Sequence, residues 1–452
     1  MIVVKFGGTS VGDTAAIERL AEIVRSKLPR RPIVVVSAMG GATNALIAIA
    51  EQASDGQLIS AIRGVEALRE RHLTTAEQLL GSGPATHELM AELSATFDEL
   101  ASLAEALSVL GHATPRSKDA IAAKGEMLSS ILVAAALASR GIPAEHVDAT
   151  TVMITNDQFE KAEPRADKIA EASQKILRPI VERGGVPVMG GYIGSTEQGI
   201  VTTLGRGGSD FSASLFGAAL GADAIEIWTD VDGMLTADPR VVKGAQLIDR
   251  IRFDEASELA SFGAKVLHPS TISPAVRLGI PVYIYNSRNP EGTGTLITFD
   301  APKRAVSALA GKQGVTVIKV RSPRMLLQHG FLRTLFEVFD RHRTSVDVVA
   351  TSEVSVSVTI DDATHLDSLV VDLSHLGDVS VERNRGIVAI VGAGLTDSSE
   401  AMSRALASLR SLRVHMLSLS ASGINLTMLV DGDQVAEAMR RLHAEFFSGP
   451  VA

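Results

Sequence analysis

Cysteine is absent from all 452 residues, which removes thiol nucleophiles, cysteine metal sites and disulfides together and fits a reducing compartment. Positive charge is also in deficit: 43 Lys and Arg stand against 52 Asp and Glu, a net charge of -9. That leaves no broad basic surface for nucleic acid. No uninterrupted apolar run reaches the roughly 18 residues of a membrane-spanning helix, and the chain opens straight into a strand, with no basic segment ahead of an apolar one. The expectation is a soluble, cytoplasmic protein with neither nucleic acid nor membrane as a partner. What the chain does have is 46% apolar content, enough for a substantial core spread over two or three domains.

Against this acidic background, basic residues inside glycine-rich turns stand out. Met1-Ile2-Val3-Val4-Lys5-Phe6-Gly7-Gly8-Thr9-Ser10 is a short apolar strand that ends in a lysine and two glycines and opens into a helical pattern. Glycines at a strand end let backbone N–H groups approach anionic oxygens, the helix start behind them adds positive potential, and Lys5 supplies a full charge. A second such turn, Gly205-Arg206-Gly207-Gly208-Ser209-Asp210, precedes a helical stretch from Phe211 to Leu220. Two turns of this kind predict two anionic ligands, or one nucleotide and one acidic substrate.

The first 300 residues alternate strand and helix patterns, as an open α/β sheet requires. Strands are expected at 2–4, 32–37, 144–147, 186–189, 224–228 and 281–284, with helices at 13–28, 120–140 and 164–183 between them. Residues 51–110, Leu/Ala-rich and charged, predict a helical insert broken at Gly81-Ser82-Gly83-Pro84. The polar stretch 289–304 reads as a linker. Beyond it the pattern becomes βαββαβ twice over, the second copy roughly 70 residues downstream of the first. Ser345-Val346-Asp347-Val348-Val349, expected as a strand, aligns with Arg413-Val414-His415-Met416-Leu417. The second copy lacks a final strand, which the spare segment 304–309 can supply. The predicted domains are therefore 1–302, with the insert at about 51–110, and a regulatory region, 303–452. In the latter, one module covers about 313–383 and the other about 384–447 plus the strand 304–311.

These motifs carry a resemblance. Lys5-Phe6-Gly7-Gly8-Thr9-Ser10, Ser37 with Thr43-Asn44, Gly125-Glu126, Leu204 to Asp210, Trp228-Thr229-Asp230, Asp238-Pro239-Arg240 and Phe262 to Pro269 occur in the order found in aspartate kinases. The whole chain resembles the monofunctional, lysine-sensitive type within the amino-acid kinase family. The resemblance implies a three-layer α/β/α kinase domain with an open, mostly parallel sheet, followed by two ferredoxin-like ACT modules. It also implies ATP with magnesium carried on the nucleotide, L-aspartate as acceptor, an amino-acid effector with lysine foremost, and a homodimer or homotetramer formed through the ACT modules. No metal site belonging to the protein itself is expected.

Residue by residue, the family's pattern gives Lys5, Arg206 and Asp210 catalytic roles and assigns Ser37, Thr43, Glu126, Arg206 and Ser209 to the amino acid. ATP contacts fall on Lys5, Phe6, Gly7, Gly8, Thr229, Asp230, Leu235, Arg240, Lys265 and Val266. Effector contacts fall on Met325, Ser345, Val346, Asp347, Ser352 and Glu353. Leu235 departs from a tyrosine common in relatives, Gln328 from a serine, and His268 reads as structural. The plain alternatives are a helix N-cap for Asp210, a first-turn carboxylate for Glu126 and a core aromatic for Tyr192.

The chemistry fits these residue types. Passing a phosphoryl group to a carboxylate brings two anions together, so catalysis is positioning plus charge neutralisation. A β-carboxylate with a pKa of about 3.9 is already ionised and needs no general base. Two other readings remain: a kinase of glutamate or N-acetylglutamate, and a non-catalytic amino-acid-binding regulator. The set Thr43, Glu126 and Arg206 disfavours an acetylated amine, which needs no carboxylate partner, and the retained Lys5, Arg206, Asp210 and Lys265 disfavour a non-catalytic role.

Overall fold

The computed structural model describes residues 1–205, 207–262, 269–326 and 329–448, so Arg206, Lys265, Val266, His268 and Gln328 lie outside the described residues. The chain forms two compact units. One contains Met1–Met234 and the stretch ending at Phe299; the other contains the stretch beginning at Leu235 and everything from Asp300 onward.

In the first unit a parallel sheet runs in the order Ala144–His146, Val186–Gly190, Pro32–Val36, Ile2–Phe6, Ala224–Thr229, Val282–Asn286. The strands Ile2–Phe6 and Pro32–Val36 are buried at every position, which is why, Lys5 apart, they read as apolar runs rather than alternating patterns. The expected linker contains one further strand, Thr295–Ile297, antiparallel to Val282–Asn286. Three residues are too short to show a pattern against their polar flanks. A small sheet of Ile154–Thr155, Ile193–Thr196 and Val201–Thr203 also escaped the sequence reading.

The insert is helical from Ala42 rather than 51: Ala42–Ser54, Leu58–Leu80 and Pro84–Leu110. Its break falls at Gly81, with φ 69, and the next helix starts on Pro84, where a proline costs no hydrogen bond. Val65, Leu68, Ala76 and Leu79 on one long helix and Leu93, Phe97, Leu100 and Ala104 on the other join the core that covers one face of the sheet. Pro115–Ser139 is long and apolar enough to cross a membrane, yet 72% of its most apolar window is buried inside the protein. It is a core element, divided into the helices Pro115–Ala122 and Lys124–Ser139.

The second unit is built on one antiparallel sheet in the order Val349–Thr351, Ser355–Ile360, Ala308–Arg321, Asp378–Val391, Asn425–Asp431, Met416–Leu419. The spare segment expected at 304–309 and the first module's opening strand are a single strand, Ala308–Arg321, with register shifts around Val315. Its first half, Ala308–Gln313, pairs with Gly386–Val391 and supplies the strand the second module lacks; Val317–Arg321 pairs within the first module. The predicted strand at 345–349 is displaced to Val349–Thr351, although Asp347 N still donates to Thr359 O at 2.9 Å.

Leu235 to Phe262 packs with this sheet's helices. Ala237 and Val242 share a core with Leu309, Leu426 and Leu442, Thr236 Oγ1 lies 2.9 Å from His443 Nε2, and the buried Glu255 accepts from Ser307 Oγ at 2.6 Å and Ala393 N at 2.7 Å.

Candidate active site

Four loops carrying predicted residues leave the same edge of the parallel sheet. Phe6 sits beside Val36 and Trp228, and Val36 beside Gly190, so the turns that follow at Gly7, Ser37, Gly191 and Asp230 emerge side by side, where open α/β sheets bind ligands.

Alternation along the first strand sends Ile2, Val4 and Phe6 into the large core and Lys5 to the opposite face. There its ammonium lies 2.6 Å from Asp210 Oδ1, the two side chains only 10% and 13% exposed. Asp210 stands in the first turn of the helix Gly208–Leu220; the N-cap is Gly207, with φ 70 and no side-chain cap. Asp210 is thus not the cap, and the first-turn amides, which have no intrahelical acceptor, face whatever binds the turn.

Glu126 lies in the first turn of Lys124–Ser139 and is 3% exposed. Ala38 N donates to its Oε1 at 3.1 Å, while Oε2 is buried without a partner. Burial pushes the carboxyl up to about 8, against the opposing pull of the Ala38 N–H and the Lys5 charge. A buried carboxylate with one oxygen unanswered is a receptor for a cation. The loop it holds is fixed again by Ser129 Oγ, which donates to Ser37 O at 2.8 Å. Thr43 follows in the first turn of Ala42–Ser54, and Ser209 is buried beside Gly191.

The Gly191 contact is tight. A Cβ there would sit 2.7 Å from Ser209 Cα, so only glycine lets the strand end touch the second glycine-rich turn. Gly191→Ala should destabilise the fold by about 1–3 kcal/mol and depress turnover, measured by thermal melting and steady-state rate. Unchanged values would mean the two turns need not meet. Tyr192 next to it has φ 64, a costly backbone for an aromatic residue, and its N–H donates to Ser212 Oγ at 3.0 Å. Burial raises the pKa of its phenol, which bonds with Thr203.

Sequence reasoning missed Asp119. Its buried carboxylate accepts from Thr203 Oγ1 at 2.7 Å, Thr203 N at 3.0 Å and Glu160 N, tying the helix Pro115–Ala122 to the Val201–Thr203 strand ahead of the second turn. A lone aspartate on an amphipathic helix gives no pattern that distinguishes this from a solvated position.

On the predicted nucleotide side, Gly7 N donates to Trp228 O at 2.9 Å, and Thr229 O accepts from Ser287 N at 2.9 Å. Asp230 is exposed and receives Thr229 Oγ1 at 3.3 Å. The Phe6 side chain is fully buried and stacks on Trp228, ring centroids 6.3 Å apart, so only its main chain is open to a ligand. Leu235 and Arg240 belong to the other unit. Leu235 is half-buried and bridges to Leu247, and Arg240, 77% exposed, folds onto Asp238 at 2.6 Å.

Comparison with known proteins gives the family. The amino acid kinase family model matches residues 1–286 and an ACT domain model residues 388–446. The lysine-sensitive aspartokinase 3 of Escherichia coli is 38% identical over 99% of both chains. The chain belongs to the aspartokinase family. Crystal structures of the E. coli enzyme superpose with TM-score 0.87 for the aspartate and ADP complex (R-state; 37% identity, 99% of this chain, 100% of that one) and 0.83 for the lysine and aspartate complex (T-state; 38% identity, 99% of each).

The predicted effector residues of this aspartokinase surround one edge of the regulatory sheet. Met325 and Val346 pack on the first module's core, Ser352 Oγ meets Ser355 Oγ at 2.7 Å, and Ser345 and Glu353 are exposed. Burial and the neighbouring Asp361 push the Asp347 carboxyl up to about 6, with Lys312 pulling the other way. Lys312 Nζ lies 3.7 Å from Asp347 and pairs with Asp361 as well.

Proposed function

We propose that the chain transfers the γ-phosphoryl group of ATP to the β-carboxylate of L-aspartate, giving 4-phospho-L-aspartate at the entry to lysine, threonine and methionine synthesis. The observation that carries this reading is Glu126. Its unanswered buried oxygen, close enough to Lys5 to feel its charge, suits an acceptor with a free α-ammonium; an N-acetylated amino acid offers it no cation.

In the proposed course, Gly7, Gly8 and the start of the Gly208–Leu220 helix receive the phosphates, while Glu126, Ser37, Thr43 and Ser209, with Arg206, hold aspartate. Thr229, Asp230, Leu235, Arg240, Lys265 and Val266 serve the rest of the nucleotide. The acceptor oxygen is already anionic, so no base is required. Lys5, oriented by Asp210 at 2.6 Å, follows the charge as it moves from the phosphoryl oxygens to the departing ADP. A hard oxygen donor, the Asp210 carboxylate beside the phosphate turn, fits magnesium arriving with the nucleotide, and the ion would neutralise the β- and γ-oxygens.

Lysine is the proposed effector, at Met325, Ser345, Val346, Asp347, Ser352 and Glu353; the E. coli relative was crystallised with lysine in its T-state. Assembly is proposed to join two or four copies through the ACT modules, supported by Val349, Leu417 and Leu419, exposed on the two edge strands. Cytoplasmic location is proposed on the absence of cysteine.

A coupled ADP-release assay with aspartate, glutamate and N-acetylglutamate tests the reading. Aspartate is expected to exceed the others in kcat/KM by about 10²-fold or more, and no aspartate-dependent ADP release would overturn it. Lysine should inhibit the wild type and not Glu353→Ala; equal inhibition of both would move the effector site elsewhere.

A further inference from the structure

The turns after the first two parallel strands press main chain against main chain. Ser37 N donates to Phe6 O at 3.0 Å, a Cβ on Gly8 would lie 2.9 Å from Ala38 O, and one on Gly40 would lie 3.3 Å from Gly8 O. On the reading above, each turn carries a different reactant, phosphate on Gly7–Gly8 and aspartate between Ser37 and Thr43. The sheet fixes their inner ends. Their outer ends, at Gly12 and Gly40, are joined by one side chain from the helical insert.

That side chain is Arg71, on the helix Leu58–Leu80. Its Nη1 donates to Gly40 O at 2.8 Å and its Nη2 to Gly12 O at 2.7 Å. A planar guanidinium offers two donors at fixed spacing, whereas an ammonium is a single point. The helix behind it is anchored in the core through Val65, Leu68 and Ala76, so the fork has a rigid base.

We propose that Arg71 is a positioning residue for phosphoryl transfer, a brace that sets the separation of the phosphate turn and the aspartate turn and so joins the insert to the reaction. This rests on the proposed function. Displacing reacting groups by about 1 Å is enough to cost about 10² in rate, so the brace acts on turnover rather than on affinity for either substrate.

The test compares wild type, Arg71→Lys and Arg71→Ala in kcat, in the dissociation constants of ATP and aspartate, and in melting temperature. Arg71→Lys keeps the charge and can reach only one carbonyl. It should melt within a few degrees of the wild type, bind each substrate within about threefold, and lose about 10²-fold in kcat. Arg71→Ala should lose at least as much; if it does not fold, the lysine variant alone decides. A folded Arg71→Lys enzyme with kcat within twofold of wild type would overturn the role while leaving the function intact, as would a loss confined to substrate affinity. No aspartate-dependent turnover in the wild type would overturn the function first and the brace with it.

Discussion

Replacing Lys5 with methionine is expected to lower kcat by about 10³-fold. Methionine keeps the length and bulk of the side chain, so the strand Ile2–Phe6 retains its packing and only the ammonium is lost. The charge counts most where phosphoryl oxygens lose and ADP oxygens gain electron density, which is a transition-state effect and appears in kcat rather than KM. Two secondary consequences follow from the neighbours. Asp210, 2.6 Å from the missing ammonium and 13% exposed, is left without its cation, and breaking one side of such a pair costs about 3–5 kcal/mol, so the melting temperature should fall as well. The Lys5 charge also holds the Glu126 carboxyl down against burial. Without it Glu126 keeps its proton to higher pH, and aspartate binding should weaken at neutral pH and recover in alkali. Steady-state kinetics at pH 7 and pH 9 separate the two effects: the kcat defect persists at both, the KM defect shrinks at the higher. A Lys5→Met enzyme with near-normal kcat and a raised KM would assign Lys5 to ground-state binding.

The sequence revealed the chemistry wherever the chemistry is local. A strand ending in Lys5-Phe6-Gly7-Gly8 and a turn ending in Ser209-Asp210 carry their logic in consecutive residues, and the structure brings Lys5 and Asp210 into an ion pair across 205 positions of chain. The parallel sheet delivers the Lys5 turn to the edge where Gly191 also emerges, and the close contact of Gly191 with Ser209 brings the second turn, which follows a strand of the small sheet, up to it. What could not be read depends on long-range contacts. Arg71 looks like one more basic residue on a charged helix; only the placement of the insert shows that it holds two carbonyls. Likewise the segment from Leu235 to Phe262 belongs to the kinase pattern in sequence and packs with the regulatory sheet in space, through Glu255, Thr236 and Val242. The merging of two predicted strands into Ala308–Arg321 has a local cause: Gly311 and Gly314 interrupt the β-branched pattern, while the pairing with Asp378–Val391 carries the strand through them.

The second large effect concerns Glu126, where activity and stability should move in opposite directions. Glu126→Gln presents a neutral amide to the aspartate ammonium and is expected to raise the KM for aspartate by about 10²-fold, the loss of a charge-assisted hydrogen bond. In the wild type the free carboxyl ionises only near pH 8. Below that the site is protonated and must release a proton to accept the ammonium, so KM should fall about tenfold per pH unit from pH 6 toward 8 and level off above. The glutamine variant should show no such slope. Stability has the reverse sign. The unfolded carboxyl ionises near 4.5 and the folded one near 8, so between those values the folded state holds more protons and stability is lost as pH rises. Glutamine mimics the protonated form and removes that loss, which makes Glu126→Gln the more heat-resistant protein at pH 8 to 9 although it is the poorer enzyme. Melting curves for the two proteins from pH 5 to 9 that run parallel would show that Glu126 ionises freely in the empty site. Aspartate would then be bound without the proton release that its buried carboxyl requires.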